Sequence, residues 1–332
     1  MCAESSSKPP ESLVAALAAA RSLVIVTHVN PDGDALGSMA ALARAAEQAG
    51  KQAKLIVPED CPPRYAFLLE GLTAAGPDCF AEAADVADAV VVVDTCALAQ
   101  LEDVADALAA CHEKVAVIDH HATRDVVGAV QWADTTAAAA GVMVGELLDC
   151  LGWPVGRPVA EALVTAVATD TGWMRFSNTD SRSLRLLARW LDTGVQVDEL
   201  YRRIFQSDRP ERLRLLAAVL EGMELRCGGR LAVMTARRED FRRTGARYDE
   251  TENLINEAMR IGSVEAAIML VEQDGGLIRA SLRSRGHVDV AALAQQFGGG
   301  GHARAAGCRG EGTLEDVRRR LVRAFEAVMA SK

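Results

Sequence analysis

A chain of 332 residues, half of them hydrophobic, is long for one domain and rich enough in apolar side chains for two cores. Its net charge of −10, without any basic run, excludes a duplex-binding arm and strong salt-driven binding to long nucleic acid. Residues 222–332 carry 18 basic against 15 acidic side chains, a net of +3 that leaves −13 for the remainder: an acidic first part suits cations, a mildly basic second part an anionic substrate.

The N-terminal "MCAESSSKPPES" lacks a basic region followed by an apolar core, and no stretch reaches the roughly 18 apolar residues of a membrane span. The eight cysteines (Cys2, Cys61, Cys79, Cys96, Cys111, Cys150, Cys227 and Cys308) are scattered, with no zinc-type pairs. Reduced thiols, no membrane contact and a cytoplasmic location are expected.

From Ser12 to Ala20 the pattern is helical. Three apolar runs follow, "LVIVTH", "AVVVVDT" and "VAVIDHH", each ending in a candidate ligand. Near-continuous Val/Ile runs suit parallel strands buried on both faces. The Ala/Leu-rich segments Ala35–Ala49 and Glu102–Cys111 between them read as crossover helices, so the class is α/β with a parallel, Rossmann-like sheet. After the first strand, Asn30-Pro31-Asp32-Gly33 reads as a tight turn and Asp34 as the cap of the next helix. Further on, Val159–Thr169 reads as a helix ending in Asp170, with more helices at Ser183–Trp190 and Val197–Phe205. The interdomain connection falls in "QSDRPERLRLLAAVLEGMEL".

The second part has strand signals of its own in "GRLAVMTA", "VEAAIMLVEQ" and "GLIRASLRSR", a helical "ENLINEAMRI", and a hairpin turn at Asp274-Gly275-Gly276. Asp289 reads as the cap of a short helix that stops at Phe297, where four glycines precede His302. The expected division is 12–192 for a first α/β domain, 193–221 for a helical linker and 222–330 for a smaller α/β domain.

Open parallel sheets collect ligands beyond the C-terminal ends of their strands. "HVNPDGD", "VVVVDT", "IDHH" and "ATDT" would gather His28, Asp32, Asp34, Asp94, His120, His121 and Asp170 at such a crevice. So many carboxylates repel one another unless cations neutralise them. Carboxylate mixed with imidazole suits two divalent metals, Mn²⁺ preferred and Mg²⁺ the alternative. Two metals about 4 Å apart share a bound water, convert it to hydroxide and clamp the oxygens of a phosphoryl displacement.

These segments resemble the DHH phosphoesterase superfamily, whose name describes Asp119-His120-His121, and the likeness spans nearly the whole chain. It implies metal ligation by His28, Asp32, Asp34, Asp94, His120 and Asp170. Asp94 is then a catalytic bridge between the metals, His121 a catalytic residue beside the substrate phosphate, and Asp119 a support for the ligands. "RASLRSRGHVDVAALAQQFGGGGHARAAG" resembles the DHH-associated domain of nanoRNases and RecJ-like exonucleases. There the resemblance implies substrate binding by Arg283, Gly300, Gly301 and His302, with the active site in the interdomain cleft. Glycine-loop amides form an anion-binding nest, and Arg283 and His302 add donors to a phosphate.

Within these 332 residues neither the extra nucleic-acid domain of RecJ nor the membrane and sensor segments of cyclic-dinucleotide phosphodiesterases are expected. The compact type that hydrolyses very short oligoribonucleotides, and also 3′-phosphoadenosine-5′-phosphate (PAP), is the one the chain resembles. In "TDTGWMRFSNT", Met174 stands where an aromatic is usual. The implied partners are short RNA oligonucleotides, nucleotides or PAP, acted on by a monomer or homodimer. The alternatives are a linear or cyclic dinucleotide phosphodiesterase and a non-enzymatic nucleotide-binding regulatory module.

Overall fold

The computed structural model describes residues 8–58, 61–122 and 125–330; Cys2 and Lys332 lie outside them. The chain divides into two compact units, up to Ser207 and from Asp208 onward.

In the first unit the Val/Ile runs form a six-stranded parallel sheet of β1 (Ser22–Val26), β2 (Gln52–Ile56), β3 (Ala74–Ala75), β4 (Ala89–Val93), β5 (Val115–Asp119) and β6 (Val130–Ala133). The strand order is β3-β2-β1-β4-β5-β6, with a switch point between β1 and β4. The helices are α1 (Glu11–Ala19), α2 (Gly33–Gln48), α3 (Phe80–Val86), α4 (Ala105–Ala110), α5 (Ala140–Leu151), α6 (Arg157–Asp170), α7 (Ser181–Leu191) and α8 (Val197–Phe205).

Alternate strand residues face opposite layers. Leu23, Ile25, Val91 and Ile118 pack with α1, α2, α5, α6 and α7, whereas Val24, Val26, Val90 and Val117 pack with α3 and α4. Burial on both faces explains why the strands are uninterrupted apolar runs. α2 lies hard against α6: a Cβ at Gly33 would sit 2.5 Å from Thr169 Oγ1, and one at Gly37 2.6 Å from the Ala162 carbonyl oxygen. That contact brings the start of α2, with Asp34, beside the end of α6, with Asp170.

The second unit contains α9 (Pro210–Glu221), β7 (Glu224–Arg226), β8 (Leu231–Ala236), α10 (Arg238–Thr244), α11 (Ile255–Ala258), β9 (Ala266–Glu272), β10 (Ile278–Ser284), α12 (Val290–Gln295), β11 (Gly300–His302), β12 (Ala305–Gly310) and α13 (Leu314–Ala330). Its mixed sheet has the order β11-β12-β10-β9-β8-β7. One face packs on α12 and α13; on the other, the apolar side chains of α9, α10 and α11 pack against those of β8 and β9. Asp289 caps α12 as expected, accepting from the amides of Ala291 and Ala292. Among the described residues no helix is long and apolar enough to cross a membrane.

Three local expectations need correction. The cap of α2 is Asp32, whose Oδ1 accepts from the amides of Asp34 (2.9 Å) and Ala35 (3.1 Å), while Asp34 enters the first turn and is buried. The segment "ENLINEAMRI" yields only the four-residue α11. The glycine run is not an open loop. Gly298 and Gly299 donate their amides to the Gln295 and Ala294 carbonyls at the end of α12, and Gly300–His302 is a strand paired with β12. Gly299 and Gly301 are glycines because a Cβ at either would collide with the β12 backbone.

Candidate metal centre

The centre forms at the sheet's switch point, where β1, β4 and β5 end. Thr27 Oγ1 donates to the Val93 carbonyl at 2.8 Å and ties the end of β1 to that of β4. His28 then projects from the loop after β1, and Asp94 directly follows β4 with φ +64°, a left-handed conformation rare for a non-glycine residue. Such strain costs on the order of 1–3 kcal/mol and persists where the surroundings over-determine it.

Potential ligand atoms gather in two principal sets. His28, Asp32 and Asp94 form one, and Asp34, His120 and Asp170 the other, with one ligand atom from each residue within 4.8 Å of its set-mates. Asp94 reaches both: its Oδ2 lies 3.6 Å from His28 Nε2 and its Oδ1 3.4 Å from His120 Nε2. His120 Nε2 is 3.7 Å from Asp34 Oδ2 and 4.0 Å from Asp170 Oδ2.

Hydrogen bonds fix the imidazoles. His28 Nδ1 faces the Val29 carbonyl at 2.8 Å and His120 Nδ1 the Ala137 carbonyl at 3.3 Å. A carbonyl only accepts, so each Nδ1 carries the proton and each Nε2 points at the acids as a metal-ligating lone pair would. Buried Asp94 Oδ1 has no hydrogen-bond partner among the described residues, a costly state that a cation relieves. The donor set therefore fits hard-to-borderline divalent cations.

Without cations the cluster holds protons. Burial alone would lower His28, yet the adjacent Asp94 carboxylate and the charge of Asp32 push it up to about 9. His120 is likewise driven well above its ordinary range by Asp94, Asp170 and Asp34 against the opposing effect of burial. Burial and the Asp94 charge raise Asp34, and burial with neighbouring carboxylates pushes Asp170 up to about 6. Asp94 moves the other way, because the nearby imidazoles of His120, His28 and His121 outweigh its burial.

A family model described as the DHH family, N-terminal domain, matches residues 22–169, and one described as the DHHA1 domain matches 216–331. The chain is 33% identical, over 91% of its length and 91% of the relative's, to the bifunctional oligoribonuclease and PAP phosphatase NrnA of Thermus thermophilus. The chain belongs to the DHH phosphoesterase family. Its fold matches an exopolyphosphatase-related protein from Bacteroides fragilis with a TM-score of 0.89 at 24% identity, covering 98% of each chain. It also matches an exonuclease RecJ bound to manganese with a TM-score of 0.53 at 15% identity, covering 97% of this chain and 95% of that one.

The three residues of the DHH motif differ in environment. Asp119 is fully buried and its Oδ1 accepts from His121 Nδ1 at 2.7 Å and from the His121 amide at 3.1 Å. His121 thus engages Asp119 through Nδ1, against its burial, and its pKa is raised. His120 instead turns Nε2 into the carboxylates.

The turn 134–141, which carries no candidate ligand, escaped the sequence reading although it aligns three of them. The Ala137 carbonyl faces His120 Nδ1, and the Ala138 carbonyl accepts from Asn178 Nδ2, which also donates to Asp170 Oδ2 at 3.2 Å. The amides of Ala140 and Gly141 at the start of α5 donate to Asp34 Oδ2 (2.6 Å) and Oδ1 (2.9 Å). Ala139 gives α5 no side-chain cap, so Asp34 caps it from 106 residues away.

The turn is itself clamped. Buried Asp134 accepts from Thr136 and from Arg182 Nη1 at 2.7 Å, and Arg182 also grips Glu146 through Nε (2.7 Å) and Nη2 (2.5 Å). The small-residue run "TTAAAAG" and the "SNTD" after Asp170 were the available signals. Met174 is 39% exposed with φ +62°, whereas Trp173 before it packs edge-on against Tyr201 and Phe205.

In the second unit, strand register brings Arg283 and His302 together. Both pair with Ala305, from either side, so the row Arg283–Ala305–His302 crosses β10, β12 and β11 on one face. The next row on that face is Ser281–Gly307–Gly300; Gly301 lies between the rows, opposite Ala306.

Proposed function

We propose that this protein hydrolyses very short oligoribonucleotides to mononucleotides and PAP to AMP, with two divalent cations, Mn²⁺ by preference, as cofactors. The observation that carries the reading is the convergence of two three-residue ligand sets on one carboxylate, Asp94. The Thermus relative, named for these two activities and aligned over nine-tenths of the chain, supports the substrate class.

On this reading His28, Asp32 and Asp94 hold one cation, and Asp34, Asp94, His120 and Asp170 the other. Bound there, the cations supply Lewis acidity toward phosphoryl oxygens and lower the pKa of water. His121, braced through Nδ1 by Asp119, offers Nε2–H to a non-bridging phosphate oxygen and stabilises charge developing there. Asp119 favours the protonated form of that imidazole and fixes its plane. In the second unit Arg283 and His302 grip a substrate phosphate by charge-assisted bonds, with Gly300 and Gly301 leaving the backbone accessible beside them. A cytoplasmic location accords with the reduced thiols at Cys61, Cys79, Cys111, Cys150, Cys227 and Cys308.

The test is incubation of purified, Mn²⁺-loaded protein with di- to decaribonucleotides, PAP, linear and cyclic dinucleotides, and pyrophosphate. Highest kcat/KM on di- to pentaribonucleotides, with PAP turned over, is expected. Preference for cyclic dinucleotides or pyrophosphate, or binding without turnover, overturns the assignment.

A further inference from the structure

The face that carries Arg283 and His302 continues into a third row. Arg279 on β10 is paired in register with Arg309 on β12, so two guanidinium side chains leave adjacent strands side by side on the same face. Directly opposed residues have Cβ atoms about 5 Å apart, and like charges there are destabilising. Neither arginine makes a hydrogen bond or an ion pair within 4 Å among the described residues, whereas arginines elsewhere in this unit, such as Arg226, Arg230, Arg238 and Arg318, pair with glutamates.

Arg279 is also partly buried. Burial and the Arg309 charge pull its pKa down, and the Glu252 charge opposes them incompletely. A half-buried cation set against a second cation is an expensive arrangement to keep without an anion.

Between the two basic rows lies Ser281 opposite Gly307, a strip with one hydroxyl and no bulky side chain. The covering helices α9, α10 and α11 set their apolar side chains on β8 and β9, while Arg279 and Ser281 on β10 are partly buried and Arg309 on β12 is exposed. Arg279 and Arg283 are four residues apart on one strand, about 13 Å, too far for one phosphate to touch both.

We infer that Arg279 and Arg309 form a second phosphate subsite, which holds a backbone phosphate of the oligoribonucleotide beyond the one gripped at Arg283 and His302. This rests on the reading under Proposed function and extends it: the second unit measures substrate length with two anion sites separated by a smooth strip. A dinucleotide has too few phosphates to engage both; a tetra- or pentanucleotide engages them together.

The test uses the full-length protein and the variants Arg279→Gln, Arg309→Gln and Arg279→Lys. The ratio of kcat/KM on a pentaribonucleotide to that on a diribonucleotide should fall about 10- to 100-fold in each glutamine variant and recover in Arg279→Lys, as loss of one charge-assisted phosphate contact implies. The melting temperature of the anion-free glutamine variants should equal or exceed the parent's, because each removes a like-charge repulsion. Binding of a labelled pentaribonucleotide in EDTA, without turnover, should weaken by a similar factor.

An unchanged length ratio with unchanged binding overturns the subsite, and so does a drop in melting temperature, which would make the pair structural. If the parent turns over no oligoribonucleotide, the functional reading fails. The EDTA titration still decides the subsite: weaker binding by the variants upholds it, and equal binding removes it.

Discussion

In the first unit the acids in and beside the candidate metal centre are braced by the fold itself: Asp34 by two α5 amides, Asp119 by His121, Asp170 by Asn178, and Asp134 by Thr136 and Arg182. On one sheet face of the second unit, Arg279, Arg283 and Arg309 form no ion pair within 4 Å among the described residues. Bracing restricts a side chain to one orientation before anything binds, which a catalytic centre requires. Missing counter-charge leaves a donor whose partner arrives with the substrate. The first unit is thus read as a scaffold for reaction, and the second as a surface for selection.

The sharpest way to break that contrast is to remove ligands from the scaffold. Asp94→Ala and His120→Ala should lower turnover by on the order of 10³-fold or more and reduce bound Mn²⁺, while circular dichroism reports a folded chain. Near-normal turnover in Asp94→Ala would dissolve the distinction.

On the selecting surface, Arg283→Ala and His302→Ala should leave bound Mn²⁺ unchanged and cut kcat/KM on nucleotides roughly 10- to 150-fold. Hydrolysis of bis-p-nitrophenyl phosphate should fall far less. Equal losses on both substrates would move these residues into the catalytic core or the fold.

Bracing itself is tested at Arg182. Arg182→Ala leaves Asp134 buried without its cation and frees the 134–141 turn, so Mn²⁺ affinity and turnover should fall about 10- to 100-fold although Arg182 is not a proposed ligand. A melting-temperature loss with unaltered Mn²⁺ affinity would make the clamp purely structural.

The smallest effect concerns protons. With its pKa pushed up to about 9, His28 carries a proton at pH 7 that must leave before Nε2 can bind a cation. Apparent Mn²⁺ affinity should therefore rise with pH between 6 and 8, by about tenfold per unit per proton displaced. Titration calorimetry in buffers of differing ionisation enthalpy reads the protons released; affinity independent of pH between 6 and 8 would contradict the protonated resting cluster.

Much of the centre was legible because its residues sit where local pattern changes. His28, Asp94 and His120 follow apolar strand runs, and Asp170 ends a helical run. The pieces that were not legible depend on contacts between distant segments. Asp34 and Asp32 are equally good caps by composition, and only the α5 amides 106 residues away draw Asp34 into the core. Asp134 and Glu146 are 48 and 36 residues from the arginine that joins them. Four glycines carry no periodicity, so a strand at 300–302 looks like a loop until its partner is known. The Arg279–Arg309 pair exists only once β10 and β12 are in register.

The most direct test of the shared-carboxylate centre is electron paramagnetic resonance of metal-free protein titrated with Mn²⁺, with bound metal counted by dialysis. Two Mn²⁺ per chain with an exchange-coupled multiline spectrum, replaced in Asp94→Asn by an uncoupled signal or loss of metal, is the predicted result. A single bound Mn²⁺, or two uncoupled ions whose spectrum Asp94→Asn leaves unaltered, would contradict it.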